Sequence, residues 1–296
     1  MASVTCRDCG VEFERTGSRG PAPVRCAECK VERRRASQRL NVPERTFRVL
    51  SLGAGQQSSA LLLMSAAGML PKLDVAVFAD TGWERQVVYD HLDRLTARAA
   101  QAGIPVERVS VGNLRDDVLA ADFVPMPVFA RGERGQRVTF RQGCTVNWKI
   151  KPIRRRVREL AGPLAGLTVE MWLGISFDET FRMKQSRIDY IRHVYPLVDM
   201  RWERSDCQRY LAEHGFPGTP RSSCIGCPYK SGQQWREMAR DAPGEFADAV
   251  EFDAALRSRP DPAYLHPSLK PLPLAVVQHG DQGDLFGEEC EGYCGV

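Results

Sequence analysis

The chain has 296 residues, 43% hydrophobic and 26% charged, with a formal net charge of +4. These are ordinary values for a globular protein, and they exclude a low-complexity or strongly polyelectrolyte chain. No apolar run reaches the roughly 18–20 residues of a membrane span, and "MASVTCRDCG" has no basic start with an apolar core behind it, so a cytoplasmic chain without a membrane partner is expected.

Residues 1–45 read as a separate unit. "CRDCGVEFERTGSRGPAPVRCAEC" spaces Cys6, Cys9, Cys26 and Cys29 as C-x2-C-x16-C-x2-C, in a stretch with too few apolar residues to bury a core. Each C-x2-C pair puts two sulfurs on one side of a tight turn, and two such hairpins complete a tetrahedron around Zn²⁺. The expectation is a small zinc ribbon, followed by an Arg-rich helix and a linker. "KVERRRASQRLNVPERTFR" carries seven basic residues against two acidic ones. That is either a solvated helix face or a contact for a polyanion, DNA or tRNA among them.

From residue 46 short apolar runs alternate with amphipathic stretches. Strands are expected over 46–52, 73–80, 104–111, 167–176 and 193–200, and helices over 58–69, 84–103, 148–162 and 203–215. Alternation of this kind predicts an α/β fold, a doubly wound and mainly parallel sheet over 46–240. Ligands of such sheets sit beyond the carboxyl ends of the strands. After about residue 240 the chain turns proline-rich, which predicts an irregular extension over 241–296 that ends with Cys290 and Cys294.

"GAGQQSS" follows the first strand and opens the first helix, so its amides and the Ser58 and Ser59 hydroxyls lie where a helix N-terminus favours an anion. It lacks the Gly-Lys-Ser ending of a Walker loop and the third glycine of a Rossmann fingerprint. "FADTGWE", at the end of the next strand, sets Asp80, Thr81 and Gly82 where a base or ribose would lie. Together these segments resemble the adenine nucleotide α-hydrolase, or PP-loop, superfamily, and within it the phosphoadenosine phosphosulfate (PAPS) reductase-like branch. The resemblance continues through "CTVNWKIKPI", "WLGISFDETFRM", "YPLVDM" and "SSCIGCPY", in family order.

The resemblance implies a PP-loop fold and an adenine nucleotide, ATP with Mg²⁺, held by Ser51, Gly53, Ala54, Gly55, Gln57, Ser58, Ser59, Asp80, Thr81 and Gly82. It also implies chemistry at Cys144, Lys149, Asp178, Glu179 and Arg182. Two departures stand out. The family loop reads Ser-Gly-Gly-x-Asp-Ser, whereas Gln57 brings no carboxylate to the metal. The tail "CEGYCGV" is not the Glu-Cys-Gly-Leu-His type of the sulfonucleotide reductases.

Cys144, Cys224 and Cys227 are soft ligands in the part of the chain where some branch members carry a [4Fe–4S] cluster, with Cys290 or Cys294 available as a fourth. A zinc site and buried thiols are the other readings. Among the histidines, His91 and His214 read as helix-surface residues, and His266 is the one to test. The expected activity is cleavage of ATP between the α- and β-phosphates, adenylation of a nucleic acid or nucleotide, and sulfur transfer, served by a sulfur donor or reductant protein. Sulfonucleotide reduction is one alternative. A nucleotide- and nucleic-acid-binding regulatory or defence component without turnover is the other.

Overall fold

A computed structural model describes residues 3–14, 25–39, 45–139 and 143–278. In chain order the elements are β1 (Ser3–Thr5), β2 (Glu12–Glu14), α1 (Ala27–Arg39), β3 (Arg45–Leu52), α2 (Gln56–Ala66), β4 (Val75–Asp80), α3 (Gln86–Gln101), β5 (Val106–Ser110), α4 (Leu114–Ala120), β6 (Phe129–Arg131) and β7 (Arg137–Thr139). A π-helical turn over Thr145–Ile150 then runs into α5 (Lys151–Ala161), followed by β8 (Leu167–Trp172), a 3₁₀ segment Phe177–Arg182, β9 (Ile191–Val194), α6 (Pro196–Asp199) and α7 (Arg204–Glu213). The last elements are α8 (Gly232–Asp241), α9 (Pro243–Arg257), β10 (Ala263–Tyr264) and α10 (Leu272–Gln278).

Five strands pair in parallel in the order β5-β4-β3-β8-β9. Alternate residues of β3 and β4 feed two apolar layers. Leu50, Leu52, Ala76 and Phe78 join α2, α3 and α7 on one face, while Val49, Val75, Val77 and Ala79 join α5 on the other. A sheet covered on both faces tolerates continuous apolar strands, which explains why "VAVFAD" is buried almost throughout. The chain leaves β3 towards β4 on one side and meets β8 on the other. The crevice at that switch point, outside Leu52 and Trp172, is where ligands of open α/β sheets bind. Here it brings the start of α2 beside the Phe177–Arg182 segment.

A third apolar cluster caps the carboxyl edge of the sheet. Trp83, Leu114 and Trp148 meet Cys224 with Trp235 of α8 and Phe252 of α9, beside the antiparallel sheet β10-β6-β7. The described part of the stretch after 240 is therefore more regular than its prolines suggest. Pro243 sits in the first turn of α9, the one helical position that tolerates it. Buried Asp253 then accepts the amides of Leu265 (3.0 Å) and Leu272 (3.1 Å) and ties the proline-rich turn down.

The stretch 193–200 also differs from the strand expected of it. Pairing ends at Val194, and Pro196 opens the short helix α6. No helix among the described residues is long and apolar enough to cross a membrane.

Candidate active site

The β3–α2 turn carries the first part of the site. Ala54 adopts the left-handed region at φ 56°, a strained setting for a residue with a Cβ, and such settings concentrate at ligand sites. It swings the chain so that α2 begins at Gln56 with no side-chain cap from Gly55. Everything from Gln56 to Ser65 is buried.

The side chains here are turned to different partners. Ser58 Oγ accepts from the Gly53 amide at 3.2 Å, and Ser59 Oγ pairs with His91 Nε2 at 2.9 Å. Gln57 donates through Nε2 to Glu179 Oε2 at 2.8 Å and to Ser176 Oγ at 3.4 Å across the crevice. Two buried atoms, Ser51 Oγ and Gln57 Oε1, have no partner. An uncapped helix start beside orphaned polar atoms is an arrangement that a polar ligand completes, so these residues fit a nucleotide.

His91 is a correction to the sequence reading. It is buried, not on the helix surface, because it falls on the apolar stripe of α3 with Val88, Leu92, Leu95 and Ala99. Burial, and then Arg94, hold its imidazole down to about pKa 4. His214 is exposed as expected. His266 is buried, with Nδ1 2.8 Å from Ser268 Oγ.

Across the crevice, Glu179 accepts from Arg182 and Arg204, each at 2.9 Å. Both partners are poorly exposed, so the charges are held together rather than solvated. Asp178 is exposed and accepts the Arg204 amide at 3.3 Å, at the start of α7. At the end of β4, Asp80 Oδ1 accepts the Gly82 amide at 2.8 Å and the Tyr89 hydroxyl at 2.7 Å. Gly82 has φ 68°, and a Cβ there would press on the Gly112–Asn113 backbone at 3.1 Å.

Glu84 is a residue the sequence reading did not single out. It is buried, with Oε1 taking the Thr81 hydroxyl at 3.0 Å and the Lys149 ammonium at 3.4 Å. Its Oε2 has no partner. Its backbone forms a bridge with Cys224, and Ile225 N donates to Trp83 O at 2.9 Å. The C-x2-C turn is thus bridged to the loop that follows β4. Gly226 fits only because it lacks a side chain, since a Cβ there would lie 2.1 Å from the Trp83 ring.

Lys230 completes the surround. Buried, it donates to Ser223 Oγ at 3.0 Å and to the Cys224 carbonyl. Burial pushes its ammonium down, against the opposing pull of Cys227 and Cys224. Single charged residues such as Glu84 and Lys230 carry no spacing signal. The available hint was position: one follows a strand end and the other a C-x2-C pair.

Cys224 and Cys227 are buried and Cys144 is half-buried at the mouth of the π-helical turn; Cys224 lies in, and Cys144 against, the cluster that includes Trp148. Such turns recur at functional sites. Soft sulfurs beside a buried ammonium suit an anionic, thiolate-bound centre. Cys290 and Cys294 lie outside the described residues.

Among the described residues, the one group of three or more potential metal ligands in close array is Cys6, Cys9, Cys26 and Cys29, with sulfurs all within 4.8 Å of one another. Zn–S bonds of about 2.3 Å in a tetrahedron put sulfurs about 3.8 Å apart, and Cys9 and Cys26 stand at 3.7 Å. Contact with Cys9, and then burial, push the Cys29 thiol up. Four thiols this close ionise together only around a cation. The second pair does not sit on a hairpin like the first: Cys26 precedes α1 and Cys29 lies in its first turn. The metal would therefore join a hairpin to a helix.

No protein-family model matches the chain, and no curated protein matches its sequence. Two solved structures are similar. One is a phosphoadenylyl-sulfate (PAPS) reductase from Candida auris in a phosphate complex, at 14% identity over 65% of this chain and 85% of that one, with a TM-score of 0.36. The other is the U34-tRNA thiolase NcsA from Methanococcus maripaludis with its [4Fe-4S] cluster, at 14% identity over 99% of this chain and 96% of that one, with a TM-score of 0.37.

Proposed function

We propose that the chain is an ATP-dependent adenylating enzyme that transfers sulfur to a nucleic acid or nucleotide. The observations that carry this reading are two features in the loops that leave the neighbouring parallel strands β3 and β4. One is an uncapped, buried helix start with orphaned Ser51 Oγ and Gln57 Oε1. The other is a C-x2-C turn whose buried Cys224 is bridged to Glu84 in the neighbouring loop.

The amides opening α2 bind the phosphates, and Arg182 and Arg204 face the charge that develops on leaving pyrophosphate. An oxygen of the acceptor attacks the α-phosphorus and the α–β bridge breaks, releasing pyrophosphate and leaving an adenylated acceptor. A sulfur nucleophile then displaces AMP. Cys144, Cys224 and Cys227 would either hold an iron–sulfur cluster or carry a persulfide taken from the donor. In the second case the outer sulfur displaces AMP, a neighbouring thiol cleaves the resulting disulfide to free the thiolated product, and an enzyme disulfide is left. A cluster, when bound, supplies iron with a site for sulfide. The four-thiolate module holds Zn²⁺ and, with its Arg-rich helix, docks the nucleic acid. DNA or tRNA is the acceptor class; a separate donor protein supplies the sulfur, or a reductant protein reopens the enzyme disulfide.

The test is pyrophosphate release from ATP, measured with and without RNA or DNA on anaerobically prepared protein whose iron, zinc and acid-labile sulfide are counted. Nucleic-acid-dependent release with sulfide present is expected. A colourless protein with one zinc and no pyrophosphate release would overturn the reading.

One observation favours a second function. Gln57 is neutral and its amide is tied to Glu179 at 2.8 Å, which suits a component that binds a nucleotide without cleaving it. Tight binding with no turnover, alongside nucleic-acid affinity that falls steeply with salt, would select that function.

A further inference from the structure

We propose that the N-terminal four-thiolate module is a working part of the nucleotide site. Metal at Cys6, Cys9, Cys26 and Cys29 fixes α1, and α1 in turn positions the segment that sets Glu179 against Gln57. The inference rests on the reading of the α2 start as a nucleotide site.

The argument follows the chain of contacts. Of the module's residues whose burial is described (3–13 and 25–33), Cys6, Cys29 and Val31 alone are buried, little apolar burial for a segment to order itself without its ligand. A 13-residue helix is marginal without tertiary support. Its support lies on the body of the protein. Val31 enters the apolar layer of Val49, Met171 and Ile175, against which Phe177 and Met183 also pack.

Arg201 donates to Glu28 of α1 at 2.9 Å, and its guanidinium lies 5.7 Å from the Phe177 ring centre. The helix is thus seated on the 3₁₀ segment Phe177–Arg182. That segment is broken at Glu179 (φ −109°, ψ 20°), and short 3₁₀ runs hold their shape poorly on their own. Glu179 is the residue that grips Gln57 in the first turn of α2. Loss of the metal frees α1, loosens the segment and moves the Gln57 acceptor. The module is therefore a positioning element for the nucleotide, acting through Glu179.

The full chain would be compared zinc-loaded and chelator-stripped, with two readouts. One is the affinity for a non-hydrolysable ATP analogue, and the other is amide exchange over residues 177–183. Stripping is expected to weaken the analogue about tenfold, within the span of common couplings, and to speed exchange in that segment. By reciprocity the analogue tightens zinc by the same factor.

Val31→Ala keeps all four ligands, so its cobalt form retains the thiolate charge-transfer absorption while both readouts move in the same direction. Unchanged exchange over 177–183 and unchanged affinity after zinc loss would overturn the proposal. If the zinc-loaded chain binds no analogue, the nucleotide reading fails. The exchange readout then judges the seating of α1 by itself: acceleration on stripping supports it and no change overturns it.

Discussion

The N-terminal module and the β3–α2 turn each hold their polar groups in a tight array, but they are built in opposite ways. Around Cys6, Cys9, Cys26 and Cys29 the hairpin residues are mostly exposed, with four sulfurs converging within 4.8 Å. Around Gln57 and Ser58 every residue from Gln56 to Ser65 is buried, and the turn is closed by its own hydrogen bonds. The first array converges on four thiols with little burial around it, and the second is set into a covered helix start. A chain too poor in apolar residues for a core recruits a metal as a substitute, whereas a chain with a two-faced sheet can leave polar atoms orphaned and wait for a ligand.

The largest effect expected from breaking this contrast is loss of metal from the module. Structural zinc sites of this kind are worth on the order of 10 kcal/mol. Cys9→Ser should therefore abolish protection of amides in 3–14 and 25–39 while residues 45–278 unfold in a single transition, as read by amide exchange alongside a thermal melt. Loss of the sheet together with the module would show that the two are not separately built.

Glu84→Gln is the converse experiment. It leaves the module alone and removes the charge facing buried Lys149, 3.4 Å away. Breaking a buried pair from one side costs about 3 kcal/mol or more. A urea midpoint well below wild type, with an unchanged zinc count, is expected. A midpoint within error of wild type would mean that the pair contributes little.

Gly226→Ala should cost less, about 2 kcal/mol, the usual scale of overpacking. The added Cβ would meet the Trp83 ring at 2.1 Å. Because the turn must shift to admit it, the alkylation rates of Cys224 and Cys227 should change as well, and unchanged rates would show that the ring moves instead of the turn.

Much of this architecture is legible in the chain. The apolar runs at 46–52, 73–80, 104–111 and 167–176 become β3, β4, β5 and β8; the signal is strongest in central β4, buried almost throughout, and weakest in edge strand β5, which is only partly buried. Strand 193–200 is half right, because Pro196 converts its second half into α6. Short α4, the β6–β7 hairpin and α8 to α10 went unread, since their apolar residues answer to Trp83, Trp148 and one another, not to a local period.

The site divides in the same way. The glycine–serine turn and all three C-x2-C pairs stand out by spacing, and Lys149, Glu179 and Arg182 come through family likeness. Glu84 and Lys230 become visible only when the fold buries them. His91 is different: its place at i+3 from Val88 marks an inward face, and that period was there to be read.

His91 also gives the mildest test of the contrast, through pH. Its imidazole is held near pKa 4 against an ordinary 6.5, and its Nε2 meets Ser59 inside the α2 turn. Below pH 6.5 the unfolded chain takes up a proton that the folded chain refuses until about pH 4. Stability from this group is therefore full above pH 6.5 and falls as pH drops through that window, by at most about 1.4 kcal/mol per unit.

Between pH 7 and pH 5.5 the loss should be about 1 kcal/mol. His91→Gln, which can still bond Ser59, should flatten it in urea titrations of the sheet domain. The module responds to acid by another route, since its thiolates must be deprotonated to hold metal, so its zinc release should follow the same curve in His91→Gln as in wild type. Zinc release moved by the substitution, with the urea midpoint left as in wild type, would show that His91 acts on the module and not on the stability of the sheet domain.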